Sequence, residues 1–320
     1  MIMNQTELYG EGTICPVVSV IVITYNQPLS KLLKTLDSII MQEGVSFEVI
    51  VCDDGSRINY ERELIWYFTL KNFSQYTLLF HDKNRGTVIN YYSGLEKARG
   101  EYSKLISPGD CLAGRQTLSR WIRFLRERKA EWSFSDTYYY RSGEQKTNYF
   151  RANAEPQFIR PYIAHDDSRC MWNYFALKDI ANGAAILGRT QTQIHYCKII
   201  KDYGIKYAED HIYRLMMFHG IVGCYFSEAA IYYEYGTGIS SSKQTIWNGR
   251  LVEDRKKLIQ ILLDVKNKSP QQQRMVNAFI QNSKSGKFRK ICIHGKVKLW
   301  LRFLFHPRLT PLPEEKVEQS

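Results

Sequence analysis

Residues 17–24 read VVSVIVIT, a short β-branched run with almost no polar relief. A strand with one wet face alternates apolar and polar residues. One with none must be covered on both faces, which is the condition of a central strand in a parallel sheet. That requirement constrains the chain more than any other feature, because it demands helices above and below. The following residues supply them. Tyr25-Asn26-Gln27-Pro28 breaks the run as a turn, and Leu32, Leu33, Leu36, Ile39 and Ile40 then recur at helical spacing over 29–42.

The alternation repeats. FEVIVCDDGS predicts a second buried strand ending in Asp53-Asp54-Gly55-Ser56, and a helix follows near 59–71. A third strand is expected near 77–84, then a helix over 87–99 with Gly100 at its C-terminal cap. YSKLIS forms a fourth strand that stops at Pro108-Gly109. Strands alternating with helices at short spacing imply an open α/β sheet with right-handed crossovers. Ligands in such sheets bind beyond the carboxyl ends of the strands. Here those ends are Thr24–Asn26, Asp53–Ser56, 83–86 and Ser107–Asp110, and most are polar or acidic.

Beyond residue 112 the pattern changes. A basic amphipathic helix is expected over 115–129, with Trp121, Ile122 and Leu125 on one side. Residues 131–150 read as strand-rich, 182–189 as a buried strand or turn, 210–219 as helix, 222–235 as strand and 248–283 as helix. The domain reading is 1–245 for the sheet domain, split into halves at 17–112 and 113–245, with a helical extension over 246–320. Residues 284–309 carry cations among aromatics and no acid. That mixture suits an anionic membrane surface, or equally a terminal helix packed on the core with a solvated basic face.

Composition narrows the partners. The formal net charge of +12 points to an anionic partner. No recognised nucleic-acid motif occurs, and the cations concentrate in the tail, so nucleic acid is not expected. The seven cysteines are dispersed with no CxxC pair, as in a reducing compartment. No histidine pair has metal-ligand spacing. No run of 18 apolar residues appears, and the first residues lack a basic start followed by an apolar core. The expectation is a cytoplasmic protein, peripheral at the inner face of the cell membrane.

VSVIVITYN, VIVCDDGS, NRGTVINYYSGLEKARGEY, LISPGD and YAEDHIYRL follow one another in an order that resembles family 2 glycosyltransferases with the GT-A fold. The resemblance covers roughly 17–240, and YEYGTGISSS is similar to the segment that often ends that domain. Non-processive members linked to bacterial surface polysaccharides are the nearest in pattern. It implies an inverting, metal-dependent transfer from a UDP-sugar to a glycan acceptor, often a lipid-diphosphate-linked sugar in O-antigen or capsule assembly. Carried over residue by residue, Asp54 would hydrogen-bond the base, Tyr25 would lie against it, and Thr24 and Asn26 would line its pocket. Asp53 would support the loop. Asp210, beside Glu209, would be the general base, although an acid at a helix start also serves as a cap. Apart from the resemblance, Arg85 and Lys83 on a neighbouring strand end would neutralise phosphate, or else form a solvated loop.

One departure stands out. The family usually carries an acidic cluster after the fourth strand, where this chain has Ser107-Pro108-Gly109-Asp110. Asp110 alone would hold Mn2+ or Mg2+, with Ser107 in support. The depleted cluster leaves open a non-catalytic relative that only binds a nucleotide sugar. A dinucleotide oxidoreductase is disfavoured, because the first strand ends in TYNQP rather than GxGxxG.

Overall fold

The computed structural model describes residues 15–140, 156–234, 236 and 245–284. The chain runs β1 (Val18–Thr24), α1 (Leu29–Ile40), β2 (Phe47–Asp53), α2 (Glu61–Leu70), β3 (Tyr76–Phe80), α3 (Thr87–Lys97), β4 (Tyr102–Ile106) and β5 (Cys111–Leu112). It continues through α4 (Thr117–Arg128), β6 (Trp132–Tyr140), α5 (Arg160–Ile163), α6 (Asp167–Ala176), β7 (Ile186–Arg189), α7 (Thr190–Asp202), α8 (His211–Phe218), β8 (Cys224–Glu234), α9 (Thr245–Asp264) and α10 (Pro270–Lys284).

Among the described residues, eight strands form one sheet in the order β3-β2-β1-β4-β7-β6-β8-β5. The first four are mutually parallel, whereas β7 runs antiparallel to both β4 and β6. The architecture is the expected open α/β sheet flanked by helices. The apolar run 182–189 resolves into a single turn at Gly183–Ala185 followed by β7. The helical stretch expected over 248–283 is two helices, broken at 265–269. Residues 141–150 and the tail from 285 onward lie outside the described residues, and with them the basic aromatic surface. Among the described residues no helix is long and apolar enough to cross a membrane.

β1 shows why the sheet forms. Its residues alternate between two cores: Val18, Val20 and Val22 belong to one, Ile21 and Ile23 to the other. Successive side chains point to opposite faces, so a strand apolar at both parities is buried on both sides. One core packs α1, α2 and α4; the other takes α3, α6, α7 and α8. Leu258, Ile261 and Leu262 of α9, and Met275, Val276 and Phe279 of α10, sit in the latter core. The C-terminal helices therefore share the interior of the sheet domain.

Register sets the strand ends level. Thr24 pairs with Asp53, Asp53 with Phe80, and Val22 with Ile106. The loops that follow therefore emerge along one edge. α3 crosses the sheet at Gly94, where an added Cβ would lie 2.6 Å from Ile21 Cγ2 and 2.8 Å from Cys52 Sγ. Glycine in a helix costs about 1 kcal/mol against alanine, and here that cost permits the close approach. Gly94→Ala is expected to lower stability by about 1–3 kcal/mol through overpacking. Gly249→Ala, with nothing within 4 Å of its Cβ, should leave stability unchanged or raise it by up to about 1 kcal/mol. Denaturant melts of the two variants check this.

Candidate active site

The strand-end loops are tied by their own polar groups. After β1, Asn26 adopts φ 50°. Its N–H donates to Ser56 Oγ at 2.7 Å, and its Oδ1 accepts from the Arg57 N–H at 2.9 Å. Asp53 Oδ1 accepts from the Ser56 N–H at 2.7 Å, a turn closed by its own side chain. Gly55, at φ 74°, lets the loop pass Lys83, whose main chain would lie 2.6 Å from a Cβ there.

Asp54 is the latch between two loops. Its N–H donates to the Thr24 carbonyl at 2.9 Å. Its Oδ1 accepts from the Arg85 N–H at 2.8 Å and its Oδ2 from the Gly86 N–H at 2.9 Å. Burial raises its carboxyl above the ordinary value, and those two N–H groups oppose the shift. Each carboxylate oxygen has a second acceptor direction, so the latch can still receive a donor from a ligand. Nearby, the Asn90 amide donates to the Cys52 carbonyl at 2.9 Å. Its buried Oδ1 has no partner among the described residues.

The turn after β4 is equally specified. Gly109 has φ 102°, in the left-handed region glycine favours. Thr35 Oγ1 accepts from the Gly109 N–H at 2.9 Å and donates to the Asp110 carbonyl at 2.8 Å. The Tyr140 hydroxyl donates to the Gly109 carbonyl. A Cβ at 109 would lie 2.2 Å from Glu234 Oε2. The Glu234 carboxylate, arriving from β8, thus occupies the space of any side chain at that position.

A divalent ion finds a poor donor set here. Asp110 is 5 % exposed. Its Oδ1 accepts from the Glu234 N–H at 2.9 Å, and burial pushes its carboxyl up to about 7. The buried Lys104 ammonium stands near it, itself lowered to about 7 by burial and bonded at 2.5 Å to the Leu105 and Ala184 carbonyls. Both oxygens of Glu234 are held at 2.7 Å by Lys31. Among the described residues no three His, Cys, Asp or Glu side chains cluster as a metal cage. The carboxylates at this turn do not fit a divalent ion as they stand, since ammonium groups already compensate them.

Asp210 lies at the N-terminal cap position of α8 but makes no side-chain capping bond. Its carboxylate is therefore not spent on the helix. Its side chain is 35 % exposed, with His211 Nδ1 at 3.4 Å. Burial alone would raise its carboxyl; His211 and Arg214 outweigh burial and hold it below the ordinary value. Glu209 goes the other way, pushed up to about 8 by burial, by the Asp210 charge and by Asp254. Neighbouring carboxyls driven apart in this way keep Asp210 ionised and Glu209 neutral. Asp166, by contrast, is spent as a cap of α6, accepting the Arg169 N–H at 2.9 Å.

A cavity of about 610 Å³ gathers these elements. Thr24, Tyr25, Asp54, Ser107, Asp110, Glu209 and Asp210 all border it. Asn26, Asp53 and Arg85 do not; they shape its loops through the main-chain bonds described above. Glu234, Asn90, Arg214 and Arg255 border it as well, none of which sequence reasoning singled out. Arg214 carried a signal, since it follows Asp210 by one helical turn. The others are brought in only by tertiary packing. A shallower groove between α6 and α10, lined by Trp172 and Arg274, holds none of the strand-end residues.

Comparison with known proteins agrees with this geometry. Residues 19–177 match the profile of Glycosyl transferase family 2. An uncharacterized glycosyltransferase of Rickettsia bellii is 30% identical over 150 residues, covering 45% of this chain and 21% of that protein. The matched part is thus about a fifth of that relative's length. S. aureus TarS, solved in complex with UDP-GlcNAc, superposes with a TM-score of 0.58 at 18% identity, over 82% of this chain and 71% of that one. The mannosyltransferase PcManGT of Pyrobaculum calidifontis, in complex with GDP-Man and Mn2+, gives 0.55 at 15% identity, over 93% and 77%. These two likenesses concern the fold. The profile over 19–177, the relative and the shared GT-A fold together support a family 2 glycosyltransferase.

Proposed function

We propose that the chain transfers a sugar from a nucleotide-sugar donor to an acceptor hydroxyl with inversion at the anomeric carbon. One observation carries the proposal: the strand-end loops and the uncapped Asp210 carboxylate border a single cavity. The structural neighbour holding UDP-GlcNAc supports a nucleotide-sugar donor, and UDP is the nucleotide proposed.

The chain's own groups suit the steps. Tyr25, 42% exposed at the cavity edge, offers a flat ring to a base. Asp54 and the unpartnered Asn90 Oδ1 offer acceptors to base or ribose donors. An acceptor hydroxyl is a weak nucleophile until its proton leaves. Asp210, ionised and partly exposed, is the group placed to take it. Attack from that side expels the nucleoside diphosphate from the opposite face and inverts the configuration. Mn2+ or Mg2+ at Asp110 is no part of these steps, because the turn presents no open set of carboxylates.

Asp210→Asn removes the base while keeping shape. Transfer should fall by about 10²–10⁴-fold, with UDP affinity within twofold of wild type in a calorimetric titration. A fully active variant would sink the assignment. Wild-type protein that binds UDP but transfers from no donor in a nucleotide-sugar screen would favour the binding-only relative, which the depleted acidic turn also suggests.

Glu209 makes a separate pH prediction. Its folded pKa of about 8 lies above the ordinary value of 4.5 for a glutamate carboxyl. The unfolded chain therefore releases this proton first as pH rises. The stability that Glu209 contributes is complete below about 4.5 and is lost as pH climbs toward 8. The melting-temperature difference between Glu209→Gln and wild type should be flat below pH 4.5 and grow in favour of Gln up to pH 8. A difference independent of pH would show that Glu209 is ionised in the fold.

A further inference from the structure

Two arginines border the cavity, Arg214 beside Asp210 and Arg255 beside Arg214. Arg214 follows Asp210 by one turn, so the two side chains share a face at the start of α8. Arg214 is 5% exposed yet borders the cavity. Its guanidinium is set among three rings, at 4.9 Å from Phe279, 5.4 Å from Tyr174 and 5.8 Å from Phe175. One nitrogen, Nη1, donates to the Tyr174 carbonyl at 3.0 Å. Another, the buried Nε, has no partner among the described residues.

Arg255, from α9, borders the same cavity and is near enough to add to the burial that disfavours the Arg214 cation. Among the described residues no carboxylate lies within ion-pair distance of either arginine; the Asp210 carboxylate has His211 Nδ1 at 3.4 Å. The Asp210 charge favours the Arg214 cation only in part, because burial and Arg255 oppose it and Nε stays idle, so an arriving anion would complete the balance. Arginine is also the cation suited to a planar or tetrahedral oxyanion, through its fork of donors.

The direction of the reaction says whose anion this is. In an in-line displacement the incoming hydroxyl and the departing diphosphate occupy opposite faces of the anomeric carbon. Groups beside the base are on the acceptor's face. We infer that Arg214 and Arg255 form a subsite for an anionic group, phosphate or carboxylate, that the acceptor carries close to the hydroxyl Asp210 deprotonates. The inference rests on the assignment of Asp210 as base. It gives α9 a role in choosing the acceptor, with the Phe279 ring of α10 holding the Arg214 guanidinium in place.

Titration of the full chain with inorganic phosphate, in saturating UDP, reads the subsite without the acceptor. Arg255→Gln is the test variant, because Arg255 is only partly buried and its loss should spare the fold; its melting temperature is the control. Phosphate affinity should fall about tenfold or more, as expected for losing a charge-assisted hydrogen bond, while UDP affinity stays unchanged. The same titration with acetate separates a carboxylate ligand from a phosphate. A fall in UDP affinity would hand the arginines to the donor diphosphate and overturn the inference. Equal phosphate affinity in variant and wild type would overturn it as well. If UDP does not bind wild type at all, the transferase proposal fails by itself, and phosphate titration of the nucleotide-free chain still decides the subsite.

Discussion

Burial of β1 on both faces, with hydrogen-bonded neighbours on both edges, is the constraint from which the rest of the structure follows. A strand without a solvent face cannot exist until helices cover both sides of the sheet. α1 and α3 do so from opposite sides, and Gly94 lets α3 come close enough to seal it. In-register pairing to β2 and β4 then brings Thr24, Asp53 and Ile106 to one edge. The cavity is the space left where those strands stop and the helices do not.

Within that space the electrostatics divide the acids by role. Asp54 is consumed as a loop latch and remains an acceptor. Asp110 and Glu234 are bound into a turn whose charge Lys104 and Lys31 already answer. Among these acids Asp210 is the one both partly exposed and held below its ordinary value, because it makes no capping bond to its own helix and has His211 and Arg214 beside it. Glu209, one residue earlier, is pushed toward neutrality. Adjacent carboxyls with opposite shifts come from packing, since their local sequence context is nearly the same.

Much of the fold was legible because its signals are local. Doubly apolar runs, helical spacing and Asp-Gly or Pro-Gly turns identify β1, β2, β4, α1 and α3 within a few residues. The second half was less readable. β7 is four residues long, and its pairing partners β4 and β6 lie far away in sequence. The break at 265–269 between α9 and α10 is marked by Asn267 at φ 54° and by the Ser269-Pro270 helix start, short signals that an apolar helical pattern running across them hides. Site residues on strand ends were legible for the same reason as the strands. Asn26, Asp53 and Arg85 shape the cavity's loops through main-chain and turn bonds, which side-chain identity does not disclose.

By itself, the sequence determined that this chain builds an open α/β sheet with a parallel first half, and it pointed to Asp54, Asp110 and Asp210, which border one cavity. Periodicity and turn chemistry act over a few residues, so one dimension is enough to read them. Which of those acids is free to act was decided only by tertiary structure. Glu234 reaches the place above Gly109 from β8, and Arg255 reaches the cavity from a C-terminal helix. Protonation and charge balance depend on burial and on neighbours remote in the chain, and the chain acquires both only when it folds.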